Sequence, residues 1–190
     1  MKQLIGTVAA CLLLTSASAL AQNQDEEMKA WMELNKPGQE HRYIEQFSGN
    51  WDVSVTMWHA PGAPPTNSKG TAEHRMILDG RYLQQHFKSD MMGTPFEGMG
   101  LWGYDNAKKE HVSTWVDSMS TGIFTATGKS ESAGKSFTFT GEYKDPKGQT
   151  RKAKEILRFQ DPNKIVAEMF EIGADGKEFK NMEMIYTRRK

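Results

Sequence analysis

The sequence predicts an all-β fold, an antiparallel up-and-down meander of ten strands preceded by a short helical segment. Three observations lead there. From about position 49, apolar and polar residues alternate with period two in short segments. Clusters of Gly, Pro, Asn and Asp separate those segments at regular intervals. No strand–helix alternation is present to support a parallel sheet.

The first 21 residues read as a cleavable export signal. Met1-Lys2 is a basic start, Leu4 to Leu14 is apolar apart from Gly6 and Thr7, and Ala19-Leu20-Ala21 is an A-x-A site. The expectation is cleavage after Ala21 and a mature protein that is periplasmic or secreted. The apolar run is shorter than a membrane span of about 20 residues, and the polar stretch from Gln22 to Glu27 follows at once. No stable membrane span is expected. Cys11 is the only cysteine and lies in this run, so the mature chain is expected to lack disulfides, thiol catalysis and cysteine metal sites. Val8-Ala9-Ala10-Cys11 loosely resembles a lipoprotein box. Anchoring at Cys11 is disfavoured, because a cut there would strand Leu12-Leu13-Leu14 in the mature chain.

Composition narrows the rest. A length of 190 residues, 37% hydrophobic and 25% charged, suits one packed domain and argues against disorder. Lys plus Arg and Asp plus Glu balance at 24 each, so the chain carries no basic excess for nucleic acid.

Residues 22–48 are expected to be helical, with Asp25 as a cap, Glu26 and Glu27 in the first turn, and Met28, Trp31, Met32 and Leu34 as an apolar stripe. Pro37-Gly38 breaks the helix, and a further turn or two carries Tyr43, Ile44 and Phe47 on one side. The stripe predicts docking, as a cap on one end of the β domain or beside it.

Residues 49–190 form the β domain. The predicted strands are 50–58, 69–78, 81–90, 96–104, 109–116, 121–128, 135–143, 150–160, 164–172 and 178–188. Asp79-Gly80, Asp105-Asn106, Asp161-Pro162-Asn163 and Asp175-Gly176 mark tight turns, and Pro61 to Pro65 a longer loop. Asp79-Gly80 is a hairpin signal that sets register: Leu78 opposite Arg81, Met76 opposite Leu83, His74 opposite Gln85. Residues opposite one another share a face. Ala72, His74, Met76, Leu78, Leu83, Gln85 and Phe87 make the more apolar face, with Arg81 beside the turn, and this face is expected to point inward. Phe137, Phe139 and Tyr143, then Ala153, Leu157 and Phe159, then Met182, Met184 and Tyr186 give three more one-sided strands.

Gly49-Asn50-Trp51 opening such a meander resembles the calycin barrels, a group that includes lipocalins, fatty-acid-binding proteins and nitrobindin. That resemblance implies a last-strand arginine packed over the tryptophan, here Arg188 over Trp51. Further segments resemble a bacterial family of unknown function, DUF1579, from about Gly49 to Arg188. They are Met57-Trp58-His59-Ala60-Pro61-Gly62, Leu78-Asp79-Gly80-Arg81, Gly100-Leu101-Trp102-Gly103-Tyr104-Asp105-Asn106 and Trp115-Val116-Asp117-Ser118. The resemblance implies a calycin-like barrel and no established activity. Nitrobindin-like barrels hold haem through a histidine, expected in the last two strands, and His41, His59, His74, His86 and His111 all lie elsewhere. Haem is therefore disfavoured, and no other cofactor is expected.

The candidate ligand-binding residues are His74 and Gln85 as a polar pair, with Met76, Leu83, Phe87, Trp102, Trp115 and Tyr186 as wall. Trp58, Met57, Met99, Met182 and Met184 extend the same greasy set, and Trp51 and Arg188 are structural. The bland alternative is a barrel filled by these side chains. No catalytic or metal-ligating residue is assigned: there is no G-x-S-x-G elbow, H-E-x-x-H helix or glycine-rich phosphate loop. Asp117 and Ser118 read as turn-forming. The expected function is binding of a small apolar or amphipathic molecule. A hydrolase-like enzyme with a polar cluster at the barrel mouth, and a filled barrel acting as a protein-interaction module, are the alternatives.

Overall fold

A computed structural model describes residues 23–91, 93–173 and 175–190. The expected signal segment, Cys11 included, lies outside the described residues. The chain divides into two units at Lys36 and Pro37. In the first, residues 23–34 form helix α1, which is already helical at 23, so Asp25 sits inside the helix rather than capping it. The helix ends ahead of Pro37-Gly38, as the sequence predicts.

The second unit holds α2 (Gln39–Glu45) and ten strands: β1 Gly49–Met57, β2 Thr66–Ile77, β3 Tyr82–Met91, β4 Thr94–Asp105, β5 Glu110–Asp117, β6 Phe124–Glu131, β7 Ser136–Lys144, β8 Thr150–Asp161, β9 Lys164–Ile172 and β10 Glu178–Arg188. Each strand pairs with its sequence neighbours, and β1 closes on β10, giving a closed antiparallel barrel. Closure removes the unpaired sheet edges that would otherwise template aggregation. Its register sets Trp51 opposite Arg188 and Val53 opposite Tyr186.

The Asp79-Gly80 hairpin has the predicted register, with His74 opposite Gln85 and Met76 opposite Leu83. Leu78 does not join the inward face. The last pair is Ile77 with Tyr82, and Leu78, Asp79 and Gly80 all take left-handed conformations, at φ 51°, 54° and 79°. That run lifts Leu78 out of the ladder and leaves it 67% exposed. A leucine pays strain in that region, whereas Gly80 adopts it freely.

One end of the barrel is plugged. Ile44 of α2 and the following Phe47 are buried, and the Phe47 ring meets Trp102 edge-on at 4.7 Å and Phe159 at 4.4 Å. Trp102 in turn packs against Phe137 and Phe139 at 4.8 and 5.4 Å. Offset and edge-on aromatic pairs of this kind add stability beyond area burial. Trp51 Nε1 donates to the Phe47 carbonyl at 3.0 Å, and the Arg188 guanidinium lies over the Trp51 ring at 4.1 Å. Arg188 also donates to the carbonyls of Ser48, Gln46 and Pro162, so one side chain ties α2, β10 and the β8–β9 turn together.

A second tie holds α2 against the wall. The buried His111 accepts the Trp102 Nε1 hydrogen on Nδ1 at 3.2 Å, and its Nε2 donates to Glu40 at 3.0 Å. Ser130 Oγ donates to the same Glu40 oxygen at 2.7 Å. Burial lowers the His111 pKa, and the Trp102 donor aimed at Nδ1 favours the neutral ring.

Candidate functional site

Above the plug, the inward faces enclose a cavity of ≈ 460 Å³ that opens toward the β1–β2, β3–β4 and β5–β6 turns. Whether such a barrel is filled or hollow depends on how its aromatic side chains lie. In this barrel glycines on neighbouring strands let the rings lie flat on the wall. A Cβ at Gly70 would fall 2.7 Å from the Phe87 ring, one at Gly128 2.7 Å from Phe139, and one at Gly141 2.7 Å from Phe124. Gly98 is covered by the Trp115 indole so closely that a methyl would overlap it. The aromatic bulk therefore paves the wall instead of crossing the lumen.

This packing makes Gly98→Ala informative. The added methyl must push the Trp115 ring off the wall, and the expected loss is about 1–3 kcal/mol of stability from overpacking. Gly122→Ala is the control: nothing lies within 4 Å of that position and its backbone is outside the left-handed region, and its unfolding midpoint in urea should stay close to the parent's. Equal midpoints for the two variants would refute the account of the wall.

Of the residues singled out from sequence, His74, Gln85, Phe87, Trp102, Trp115 and Tyr186 line the cavity. Met76 and Leu83 do not. They face inward as expected, but lie nearer the Asp79-Gly80 turn, where the plug fills the barrel; Leu83 is completely buried and Met76 packs on that core. Met57, Met182 and Met184 line the cavity, while Met99 is on the outer face at 42% exposure, and Trp58 lies beside Lys180, whose Nζ is 5.2 Å from its ring.

The wall is mostly apolar, and its polar side chains include Ser68, Ser89, Ser113 and Lys154 besides the groups that follow. His74 does not pair with Gln85 as a rim contact would. Its Nδ1 is 3.1 Å from the Phe47 carbonyl, which can only accept, so Nδ1 carries the proton and Nε2 keeps a lone pair. Burial pushes the His74 pKa down to about 4, so the ring is neutral near pH 7. Gln85 leans over Gly100, where a Cβ would come within 2.6 Å of its Oε1. Tyr186 donates its hydroxyl to the Met184 sulfur at 3.6 Å, and burial together with the nearby Glu155 raises its pKa. At the mouth, Asp117 accepts from Trp115 Nε1 at 3.2 Å and from the Met119 amide at 2.9 Å, and Ser118 Oγ accepts from the Glu97 amide. Asp117, the last residue of β5 and part of the cavity lining, and Ser118 both brace the turn that follows, the role the sequence reading gives them.

Among the wall residues that the sequence reading did not single out, Glu155 and Asn181 stand out for their chemistry. Glu155 stands on the inward face of β8, opposite Phe139 on β7 and Met169 on β9. Burial pushes its carboxyl up to about 7. The signal was present, since Glu155 falls in phase between Ala153 and Leu157. Asn181 sits where the β9–β10 register slips between Lys180 and Met182. It reaches the cavity wall, and its buried Oδ1 has no hydrogen-bond partner among the described residues. A bulge shifts the alternation by one residue, so a strict period-two reading misses it.

Comparison with known proteins fits this architecture. The chain is similar in fold to the crystal structure of Rv2717c from M. tuberculosis, with a TM-score of 0.58 and 8% identity, covering 82% of this chain and 100% of that one. It is also similar to the S-type phycobiliprotein lyase CPES from Guillardia theta, with a TM-score of 0.55 and 11% identity, covering 84% of this chain and 97% of that one. At these identities the likeness concerns the fold. No curated protein matches the chain. The model of the family described as protein of unknown function (DUF1579) matches residues 36–188, and the chain belongs to that family.

Proposed function

We propose that this protein is an exported, non-catalytic binding protein that holds one small apolar or amphipathic molecule inside its barrel. The cavity is the observation that carries the reading. At ≈ 460 Å³ it falls within the range of about 300–1,000 Å³ of small-molecule sites, which are likewise mostly greasy with a few placed polar groups. Phe87, Trp102, Trp115 and Phe124 supply the apolar wall, and His74, Gln85, Glu155, Asn181 and Tyr186 supply the polar points. Export is supported by the signal-like layout of residues 1–21.

The test is titration of the purified protein with n-decanol, followed by calorimetry and by tryptophan fluorescence. Burial of an alkyl chain gains about 0.8 kcal/mol per methylene before association costs. The expected result is saturable binding at roughly one molecule per barrel, with Kd on the order of 10 µM. Absence of saturable heat, with unchanged fluorescence up to the solubility limit, would sink the reading.

A second reading is favoured by one observation, the presence of Glu155 and His74 with shifted pKa values in the same cavity, a pattern found at acid–base sites. It predicts turnover of a bound ester, whereas the binding reading predicts recovery of the bound molecule unchanged.

A further inference from the structure

We propose that the cavity is built for an amphipathic cation, a molecule with an apolar body and a protonated amine, and that Glu155 is its counter-ion. The inference rests on the binding reading above and adds the chemistry of the ligand's head.

Glu155 is the starting point. A carboxyl enclosed in an apolar wall is costly to ionise unless something pairs with it. Among the described residues nothing hydrogen-bonds or ion-pairs with Glu155. Its neighbours across the ladder are Phe139 and Met169, neither of which donates a hydrogen bond. The other charged and titratable groups near it are accounted for. On its own strand, Lys154 pairs with Glu178 and lies 4.8 Å from the centre of the Phe170 ring. Arg151, near the mouth, pairs with Asp145 at 3.0 Å and with Glu171 at 3.7 Å. From β7 the titratable group is Tyr143, from β10 Tyr186, from β2 the neutral His74, and from β5 Asp117, which is engaged by Trp115 and Met119. The two lining carboxylates, Asp117 and Glu155, face no unpaired cation in the wall.

Two further features select a cation over a neutral polar head. Asn181 presents a buried carbonyl oxygen without a donor. Met169 pairs with both Glu155 and Met182, which places Asn181 beside the same cross-strand row as Glu155. An ammonium has several N–H donors and no acceptor, so it can pair with the Glu155 carboxylate and keep N–H groups for other acceptors of the wall. The surrounding wall is aromatic, and ring faces attract cations. An anionic head would meet two carboxylates; the lining ammonium, Lys154, is already paired with Glu178, and Gln85, Ser68, Ser89 and Ser113 offer neutral donors alone.

The experiment compares n-decylamine, n-decanol and n-decanoate, which share one chain and differ in the head, by calorimetry at pH 8. The expected result is that the amine binds about tenfold tighter than the alcohol and that decanoate binds weakest. In Glu155→Gln the amine-to-alcohol ratio should fall to about one. In the unmodified protein the same ratio should shrink at pH 5, where the carboxyl, raised to about 7, holds its proton; this arm needs no variant to fold. Equal affinities for amine and alcohol, or strongest binding of decanoate, overturn the cation assignment and leave the binding reading intact. Failure of all three molecules to bind overturns both.

Discussion

Trp51→Ala is expected to loosen the plugged end of the barrel and to cost about 3–5 kcal/mol of stability. Trp51 has no exposed surface. Its ring is the platform for Arg188 at 4.1 Å, and Tyr186 meets it edge-on at 6.4 Å. Truncation leaves a cavity, removes one of the two donors on the Phe47 carbonyl and deprives the Arg188 cation of its aromatic face. Trp51→Phe separates these contributions. It keeps a ring for Arg188 and most of the volume, but loses the N–H, so its cost should be nearer about 1–2 kcal/mol. The measurement is the urea midpoint at unchanged slope. If Trp51→Ala lost less than about 1 kcal/mol, the end built from Trp51, Phe47 and Arg188 would not be holding β1 to β10 as described.

The features legible in sequence are those that depend on local rules. Alternation of Phe137 and Phe139 with polar residues marked a one-sided strand, and Asp79-Gly80 was enough to align His74 with Gln85. The Trp51–Arg188 stack followed from family resemblance and from both residues sitting on inward faces. The same local rules failed where backbone geometry departs from regularity. Leu78 obeys the period of its strand but takes a left-handed conformation, so it points to solvent. Asn181 lies at a register slip, and its place on the wall could not be counted from either side.

Other features depend on pairing across the barrel, which no stretch of sequence displays. Gly128 lets the Phe139 ring lie flat because the two are opposite each other, although neither residue alone signals a hollow lumen. Hollow or filled is thus a property of the register as much as of composition. Glu40 and His111 stand 71 positions apart, and no motif announces their contact. Glu155 is a different case: the phase of β8 placed it inward, and its charge set it against the apolar expectation for that face. Residues that satisfy the period and violate the polarity are the ones that a sequence reading should extract as candidates for function.

The lumen holds two titratable groups that act on stability in opposite directions, and separating them is the second large expected effect. His74 falls from its ordinary 6.5 to about 4 in the folded protein. Between those values the unfolded chain binds more protons, so this contribution is complete above 6.5 and is lost as the pH falls toward 4. Glu155 rises from 4.5 to about 7. Here the folded protein binds more protons, so stability is lost as the pH climbs from 4.5 to 7. Each group spans a range worth on the order of 3 kcal/mol, with Glu155 nearer about 2 because water in the lumen screens it. The windows overlap, so in the parent the two slopes largely cancel between about pH 4.5 and 6.5. Glu155→Gln removes one of them: the variant should exceed the parent by about 2 kcal/mol at pH 8 and converge on it near pH 4.5. His74→Asn, whose amide can still donate to the Phe47 carbonyl, should diverge the other way, comparing better with the parent in acid than at neutral pH. Carboxylates outside the lumen with lowered pKa values, such as Glu168 in its pairing with Arg158 and Lys180, titrate alike in all three proteins and drop out of the differences. Urea midpoints for the three across this pH range decide the matter. Parallel curves would mean that neither group feels the burial that the cavity wall imposes.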